Sequence, residues 1–399
     1  MSPGELSTRF EATFGQQPTV LARAPGRVNL LGEHVDYNNG LALPCGIQLT
    51  ALVGLRESSS GSVRLAALDL GAEHAFQLSE LEAPTAQLRA NTPDWARYPV
   101  GVCWAWLNSG HRLPAFDAAY TCSVPSGAGL SSSAAIEVAF ASALCSLRAL
   151  EWSDIALARL CQSAEHTMAG VRSGLMDQWT SVSAVRDHAL LLDFKTLSAQ
   201  PVPLPEQVSI VVADTGVPRA LAASAYNQRV QECRQAVAEL RRHRDGLGSL
   251  RDITLEQFWG VADHLPRPAR MRAQHVVEEI DRVRQGAKAL EAGDATEFGQ
   301  LMRASHVSLR DLFQVSGPEL DKMVEIANQL DGAFGSRLTG AGFGGSTVSL
   351  VERDRADDFC DQLARRYSAE TGRRATTWIC QAGPGAHADV IQRGGRQNS

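Results

Sequence analysis

The side chains best suited to chemistry fall in three short stretches. The first runs Pro125-Ser126-Gly127-Ala128-Gly129-Leu130-Ser131-Ser132-Ser133-Ala134-Ala135, a glycine loop that feeds straight into a helical pattern. Glycines let backbone N–H groups come close to a ligand. A helix start adds free donors and a partial positive charge, so the pair suits an anion such as a phosphate. Ser131, Ser132 and Ser133 add hydroxyls for phosphate oxygens or a metal; a plain serine-capped helix would show the same residues. The loop is not a Walker A motif, because no Gly-Lys dipeptide occurs in the chain. It also lacks the third glycine of a dinucleotide-binding fingerprint. The second stretch is Arg27-Val28-Asn29-Leu30-Leu31-Gly32-Glu33-His34-Val35-Asp36-Tyr37, where polar side chains interrupt an apolar strand. Two carboxylates beside a His and a Tyr supply acceptors for several sugar hydroxyls. The third is Gly340-Ala341-Gly342-Phe343-Gly344-Gly345, either a second phosphate-side loop or a flexible turn.

Asp177 stands apart from these, among Leu175, Met176 and Trp179, just past a helix that carries Glu165. A carboxylate buried there without a partner would be costly. It either caps a helix or works in the chemistry, and Arg27 is a natural partner that would hold it ionised.

The elements that must carry these residues can be read from periodicity. Apolar runs flank Asn38-Asn39-Gly40, which predicts a hairpin, since both central residues tolerate positive φ. Asp94–Asn108 reads as a helix with Trp95, Tyr98, Val102 and Trp106 on one stripe. Ser131–Leu147 reads as another, and Ser153 as the N-cap of a third that ends near Ala169. Residues 188–194 form a buried strand, and the proline run at 201–205 predicts a domain boundary, giving domains 1–205 and 206–399. The second half restarts with a strand at 208–216. A long helix carries Tyr226, further helices run from 254 to 330, and a loop plus strand spans 336–352. A helix near 354–370 and a last strand at 376–383 close the chain, with 394–399 as a frayed tail. Strands and helices do not alternate regularly, so the fold class is α+β in two domains.

Composition narrows the function. With Lys+Arg 38 against Asp+Glu 44, the net charge is −6, which leaves no basic footprint for nucleic acid. Only Lys195, Lys288 and Lys322 are lysines, so lysine-dependent mechanisms have few candidates. No apolar run of about 18 residues exists to cross a membrane. The first residues are acidic with no apolar segment, so no secretory signal is expected. The eight cysteines have no C-x-x-C spacing and read as reduced thiols of a cytoplasmic protein.

Together these residues resemble the galactokinase family, in the GHMP kinase superfamily that also holds homoserine, mevalonate and phosphomevalonate kinases. The resemblance covers nearly the whole chain and rests on residues 26–40, 125–135, 164–178, 302–313 and 338–350. It implies an N-terminal ribosomal-protein-like α+β domain and a C-terminal ferredoxin-like domain with extra helices, the active site lying between them. It implies ATP-dependent phosphorylation of α-D-galactose at the anomeric hydroxyl. Gly127, Ala128, Gly129, Leu130, Ser131, Ser132 and Ser133 would bind ATP. Ser133 and Glu165 would hold Mg²⁺. Asp177 would be the catalytic aspartate and Arg27 its partner. Glu33, His34, Asp36, Gly174 and Tyr226 would contact the sugar, and Gly340, Gly342, Gly344 and Gly345 would close over the site.

Whether Asp177 takes a proton or mainly orients the hydroxyl stays open at this level. Val35 stands where the family usually has Thr, and Ser173 and Ser346 stand where Cys is common. A related sugar, N-acetylgalactosamine or arabinose, is an alternative substrate. A regulatory protein that binds galactose and ATP without turnover is an alternative of another class; its expected mark, a shortened stretch after the glycine loop, is absent from Ser131–Ala135. Small-molecule substrates are the expected partners, with the chain a monomer or weak homo-oligomer.

Overall fold

The computed structural model describes residues 1–170, 173–218 and 222–391. The expected strand at the first sugar motif is β1 (Val20–Asn29), which pairs antiparallel with β3 (Pro44–Glu57). No tight hairpin joins them. Residues 30–43 make an excursion with a 3₁₀ turn at Asp36–Asn38 and a short strand, β2 (Leu41–Ala42). Asn39 takes the left-handed conformation that Asn-Gly foretold, at φ 55°, but Gly40 N–H closes a turn onto Val35 O at 2.9 Å. The excursion wins over a hairpin because the second half of the chain satisfies its backbone. Glu279 accepts from Gly32 N–H at 2.9 Å, and His275 Nε2 meets Glu33 O at 3.2 Å.

β4 (Ser62–Ala67), β5 (Ala72–Gln77), β6 (Phe116–Cys122) and the final strand β13 (His387–Val390) complete the first sheet, in the order β13-β1-β3-β6-β4-β5. The register of β1 shifts between Pro25 and Arg27. Such bulges redirect side chains. A Cβ on Gly26 at this point would sit 2.6 Å from Leu130 O, so only glycine lets the glycine loop lie against the strand.

Helix Ser132–Arg148 packs on β1 and β3 and is buried almost throughout from Ala134 to Leu144. It is covered in turn by helices Arg97–Asn108, Asp154–Met168 and Met176–Ser183. The expected helix at 94–108 starts with a 3₁₀ turn at Asp94–Ala96, and Ser153 is the N-cap it was read to be. β7 (His188–Asp193) pairs with β2 and with β8 (Ser198–Pro203). Pro201 and Pro203 lie on this outer strand, where a missing N–H costs no ladder bond.

The second half opens with β9 (Val208–Asp214) and carries β10 (Ala333–Thr339), β11 (Ser346–Glu352) and β12 (Thr376–Cys380). Their order β10-β11-β9-β12 is antiparallel throughout, the split βαβ arrangement of a ferredoxin-like fold. Residues 336–339, read as loop, belong to β10. The strand at 376–380 is not the last, because β13 returns to the first sheet across the expected boundary at 205. Helices Pro318–Ala327 and Ala356–Thr371 cover one face with Met323, Phe359, Leu363 and Tyr367. On helix Ala295–Ser308, Gly299 touches the β10 backbone; a Cβ there would stand 2.2 Å from Phe334 O. The tail 394–399 lies outside the described residues.

Gly299→Ala forces that helix off the strand carrying Arg337. It is expected to cost about 1–3 kcal/mol, the scale of overpacking. A thermal melt within one degree of wild type would refute this.

Candidate active site

Arg27 leaves the β1 bulge only 5% exposed, its guanidinium pointing at Asp177. Its Nη2 and Nε lie 2.7 and 2.9 Å from Asp177 Oδ1, and its Nη1 donates to Gly129 O at 2.6 Å. Asp177 sits in the first turn of helix Met176–Ser183, where a carboxylate suits the dipole. Its neighbours Gln178 and Trp179 turn into the core, which leaves the carboxylate facing the cavity. Asp177 Oδ2 accepts from Ser131 Oγ at 2.6 Å.

That last bond shapes the glycine loop. Gly127, Gly129 and Ser131 all have positive φ, at 79°, 74° and 56°. Ser131 is the N-cap residue of its helix, yet its hydroxyl is spent on Asp177 and no side chain caps the helix start. The first N–H groups are thus left for a ligand. Gly127, Gly129, Ser131, Ser132 and Ser133 line a cavity of about 410 Å³ together with Arg27 and Asp177. Ala128 and Leu130 are buried instead and anchor the loop by their carbonyls, which accept from Ser346 Oγ at 2.6 Å and from Arg27 N–H at 3.0 Å.

The sugar-motif residues meet at the other end of the same cavity, where Glu33, His34, Asp36, Gly174 and Tyr226 all line the wall. Gly174 packs against Asp36 so closely that a Cβ would overlap its Oδ2 at 1.7 Å. Burial, with the Asp177 carboxylate near, pushes Asp36 from its ordinary 3.8 up to about 7. His34 adopts φ 60° and is brought down to about 4 by burial, so it is neutral. Its Nε2 faces Ala341 O at 3.1 Å and its Nδ1 faces Tyr37 Oη at 2.9 Å. A carbonyl can only accept, so Nε2 carries the proton and Nδ1 accepts from tyrosine. The Tyr226 ring lies 5.3 Å from that of His34.

Glu33 is held from the second half. Its Oε1 accepts from Arg337 Nη2 at 2.6 Å, Gly340 N–H at 2.7 Å and Thr339 Oγ1 at 3.2 Å. Arg337, absent from the sequence reading, is 0% exposed in its side chain. Its Arg type in a strand pattern was the one available signal. Of the third glycine motif, Gly340 and Ala341 reach the cavity. Gly342, Gly344 and Gly345 fasten the loop to its own half instead. A Cβ on Gly342 would meet Val315 O at 2.2 Å, and one on Gly344 would meet Val217 O at 2.9 Å. Gly345 O accepts from Thr215 N–H at 2.9 Å.

Near the phosphate loop, Glu165 accepts from Ser133 Oγ at 2.9 Å on Oε1, and from Ser173 Oγ at 2.6 Å and Gln178 Nε2 at 3.0 Å on Oε2. Ser133 and Glu165 thus offer two oxygen ligands at one spot of the cavity, a donor set that fits Mg²⁺. Ser173 and Ser346, in place of Cys, both donate hydrogen bonds that matter to the site. Val35 is fully buried against Gly40 and does not line the cavity, so the missing Thr hydroxyl takes nothing from it. Tyr98 does line it and was read only as part of a packing stripe. Trp106 is core, His166 meets Ser173 O at 2.7 Å, and His306 packs by Asp321 at 3.3 Å.

Residues 8–57 match the galactokinase galactose-binding signature, and 97–184 and 287–369 match the GHMP kinase N-terminal and C-terminal domains. A galactokinase of Roseiflexus sp. is 47% identical over 96% of this chain and 97% of its own. The chain belongs to the galactokinase family. Human galactokinase is 41% identical over 96% of this chain and 95% of its own. The crystal structure of Lactococcus lactis galactokinase complexed with galactose superposes with a TM-score of 0.90 at 33% identity, covering 96% of this chain and 99% of that one. A mevalonate kinase of Methanococcus jannaschii, at 19% identity and TM-score 0.67, shares the fold. Among the described residues no helix is long and apolar enough to cross a membrane.

Two outcomes follow from this geometry. Arg337→Ala leaves Glu33 buried without its cation, which is expected to cost about 3–5 kcal/mol of stability and to raise KM for galactose; a wild-type melt and KM would rule this out. Between about pH 4 and 7 the folded chain holds a proton on Asp36 that the unfolded chain has released. Unfolding free energy therefore falls as pH rises through that window. The ligand-free Tm should drop from pH 5 to 8 more steeply in wild type than in Asp36→Asn, and parallel curves would contradict the assignment.

Proposed function

We propose that this chain transfers the γ-phosphoryl group of ATP to the anomeric hydroxyl of α-D-galactose, giving galactose 1-phosphate and ADP, with Asp177 and Arg27 at the reacting atoms. The observation that carries the residue roles is the Arg27–Asp177–Ser131 contact, which joins the sugar end of the cavity to its phosphate end. Phosphoryl transfer asks mainly for alignment and charge neutralisation. The open helix start and the Gly127–Ser133 loop offer N–H donors to the triphosphate. Ser133 and Glu165 would hold Mg²⁺, which when bound neutralises phosphate charge. Ser173 and Gln178 keep one oxygen of Glu165 turned inward, which leaves Oε1 with Ser133.

At the sugar end, Asp36, Glu33 and Tyr226 offer hydrogen-bond partners to the ring hydroxyls, while neutral His34 ties Tyr37 to the third glycine motif. Asp177 already accepts N–H bonds from Arg27 on Oδ1 and an O–H bond from Ser131 on Oδ2. Asp177 therefore acts mainly by accepting a hydrogen bond from the anomeric hydroxyl and aiming its oxygen at the phosphorus. Arg27 sits where negative charge develops and stabilises it.

The test is ADP release from Mg-ATP with galactose, N-acetylgalactosamine, glucose, arabinose and mevalonate. Turnover is expected with galactose. Asp177→Asn should keep ATP affinity and lose about 10²–10⁴ in kcat. Binding of both substrates with no ADP release in wild type would replace the kinase by a regulatory ligand-binding protein, and near-normal turnover of Asp177→Asn would remove that residue's role.

A further inference from the structure

Glu137 is the one acidic or basic side chain in the buried stretch Ala134–Leu144 of helix Ser132–Arg148, and it is 0% exposed. Its Oε2 accepts from Gln178 Nε2 at 3.2 Å, and its Oε1 has no hydrogen-bond partner among the described residues. A carboxyl this deep is costly unless it is bonded. Neither the glycine loop nor the sugar motif touches it through a hydrogen bond among the described residues, so its use must be sought through Gln178.

Gln178 is equally buried, in the first turn of helix Met176–Ser183 beside Asp177. A primary amide has two N–H donors and one oxygen. Both donors are engaged by acids from two other helices, Glu137 Oε2 at 3.2 Å and Glu165 Oε2 at 3.0 Å. Turning the amide over would take its N–H from Glu165 and set an oxygen there instead. Glu137 opposes that turn by accepting the other N–H. Gln178 Oε1 is itself buried with no partner among the described residues. Burial, with Glu165 near, pushes the Glu137 carboxyl well above its ordinary range, which favours the neutral acid. A neutral acid has an O–H to give, and an amide oxygen can take one.

Ser133 and Glu137 are four residues apart on one helix, so they lie on the same face a turn apart. Ser133 Oγ meets Glu165 Oε1 at 2.9 Å, while Glu165 Oε2 is held inward by Gln178 and by Ser173 Oγ at 2.6 Å. We propose that Glu137 is a positioning residue for the cation: by holding the Gln178 amide it keeps Glu165 Oε2 turned inward and Oε1 turned to Ser133. This rests on the reading of Ser133 and Glu165 as the Mg²⁺ ligands. Groups that orient a ligating carboxylate set metal affinity without touching the metal.

The test compares the affinity of the full chain for a non-hydrolysable ATP analogue with and without Mg²⁺, by calorimetric titration, so that turnover plays no part. Wild type is expected to gain affinity from Mg²⁺, and Glu165→Gln to lose that gain. Glu137→Met, of similar length but without oxygens, should cut the gain by about 10–100-fold. Affinity for the Mg²⁺-free analogue and for galactose should stay unchanged. Glu137→Gln, which still accepts from Gln178, should restore the gain. If Glu137→Met does not fold, Glu137→Asp, one methylene short of Gln178, takes its place and should show a loss of the same direction. A wild-type gain in folded Glu137→Met or Glu137→Asp, or an equal loss in Glu137→Gln, would overturn the proposal alone. No gain in wild type, or an undiminished one in Glu165→Gln, would remove the cation reading and the proposal with it.

Discussion

The site depends on where one arginine points. Arg27 reaches Asp177 on one helix and Gly129 on the glycine loop from a strand of the central sheet. It is almost fully buried, and a buried guanidinium is tolerated only when its donors are met. Its demand for acceptors therefore fixes the distance between the loop and the aspartate. The β1 bulge, Gly26 under Leu130 O, and the diversion of Ser131 from capping to Asp177 all serve that geometry. The cost is an uncapped helix start, which is what a phosphate ligand needs.

A second buried pair, Glu33 with Arg337, performs the same task between the two halves. Arg337 is wholly buried and Glu33 nearly so, so separating the halves here would leave two uncompensated charges. The excursion 30–43 is gripped by the second half through Gly32, Glu33 and His34. The Glu33–Asp36 end of the cavity is thus a joint product of both halves, and even the glycine loop, set on the first half, is tied to the second by the Ser346 hydroxyl on Ala128 O.

Carboxylates crowd the cavity and the core behind it, and among the described residues only some are paired with a cation. Asp36 is pushed up by burial and by Asp177, and Glu137, fully buried behind Gln178, is pushed up well beyond the usual range. Glu165 is held by hydroxyls and an amide, with no cation paired to it among the described residues. A hard divalent ion is the natural complement to that arrangement.

The local chemistry was legible in the chain because it depends on near neighbours. Glycines at 127 and 129, serines at the helix start, Ser153 as a cap and the left-handed Asn39 follow from backbone sterics and spacing alone. The α+β class was likewise foreseen, and the motifs and family resemblance had named Arg27, Glu33, Asp36, Ser133, Glu165 and Asp177, which share one cavity. Tertiary structure decided what depends on distant partners. The Asn-Gly turn became an excursion because Glu279 and His275, far along the chain, take up its backbone groups. Gly342, Gly344 and Gly345 turned out to fasten a loop that only Gly340 and Ala341 extend into the cavity. Arg337, Gln178 and the return of β13 to the first sheet have no local signature. Hydrogen bonding and charge pairing act over a few ångströms in space, whatever the separation along the chain, so these assignments waited for the fold.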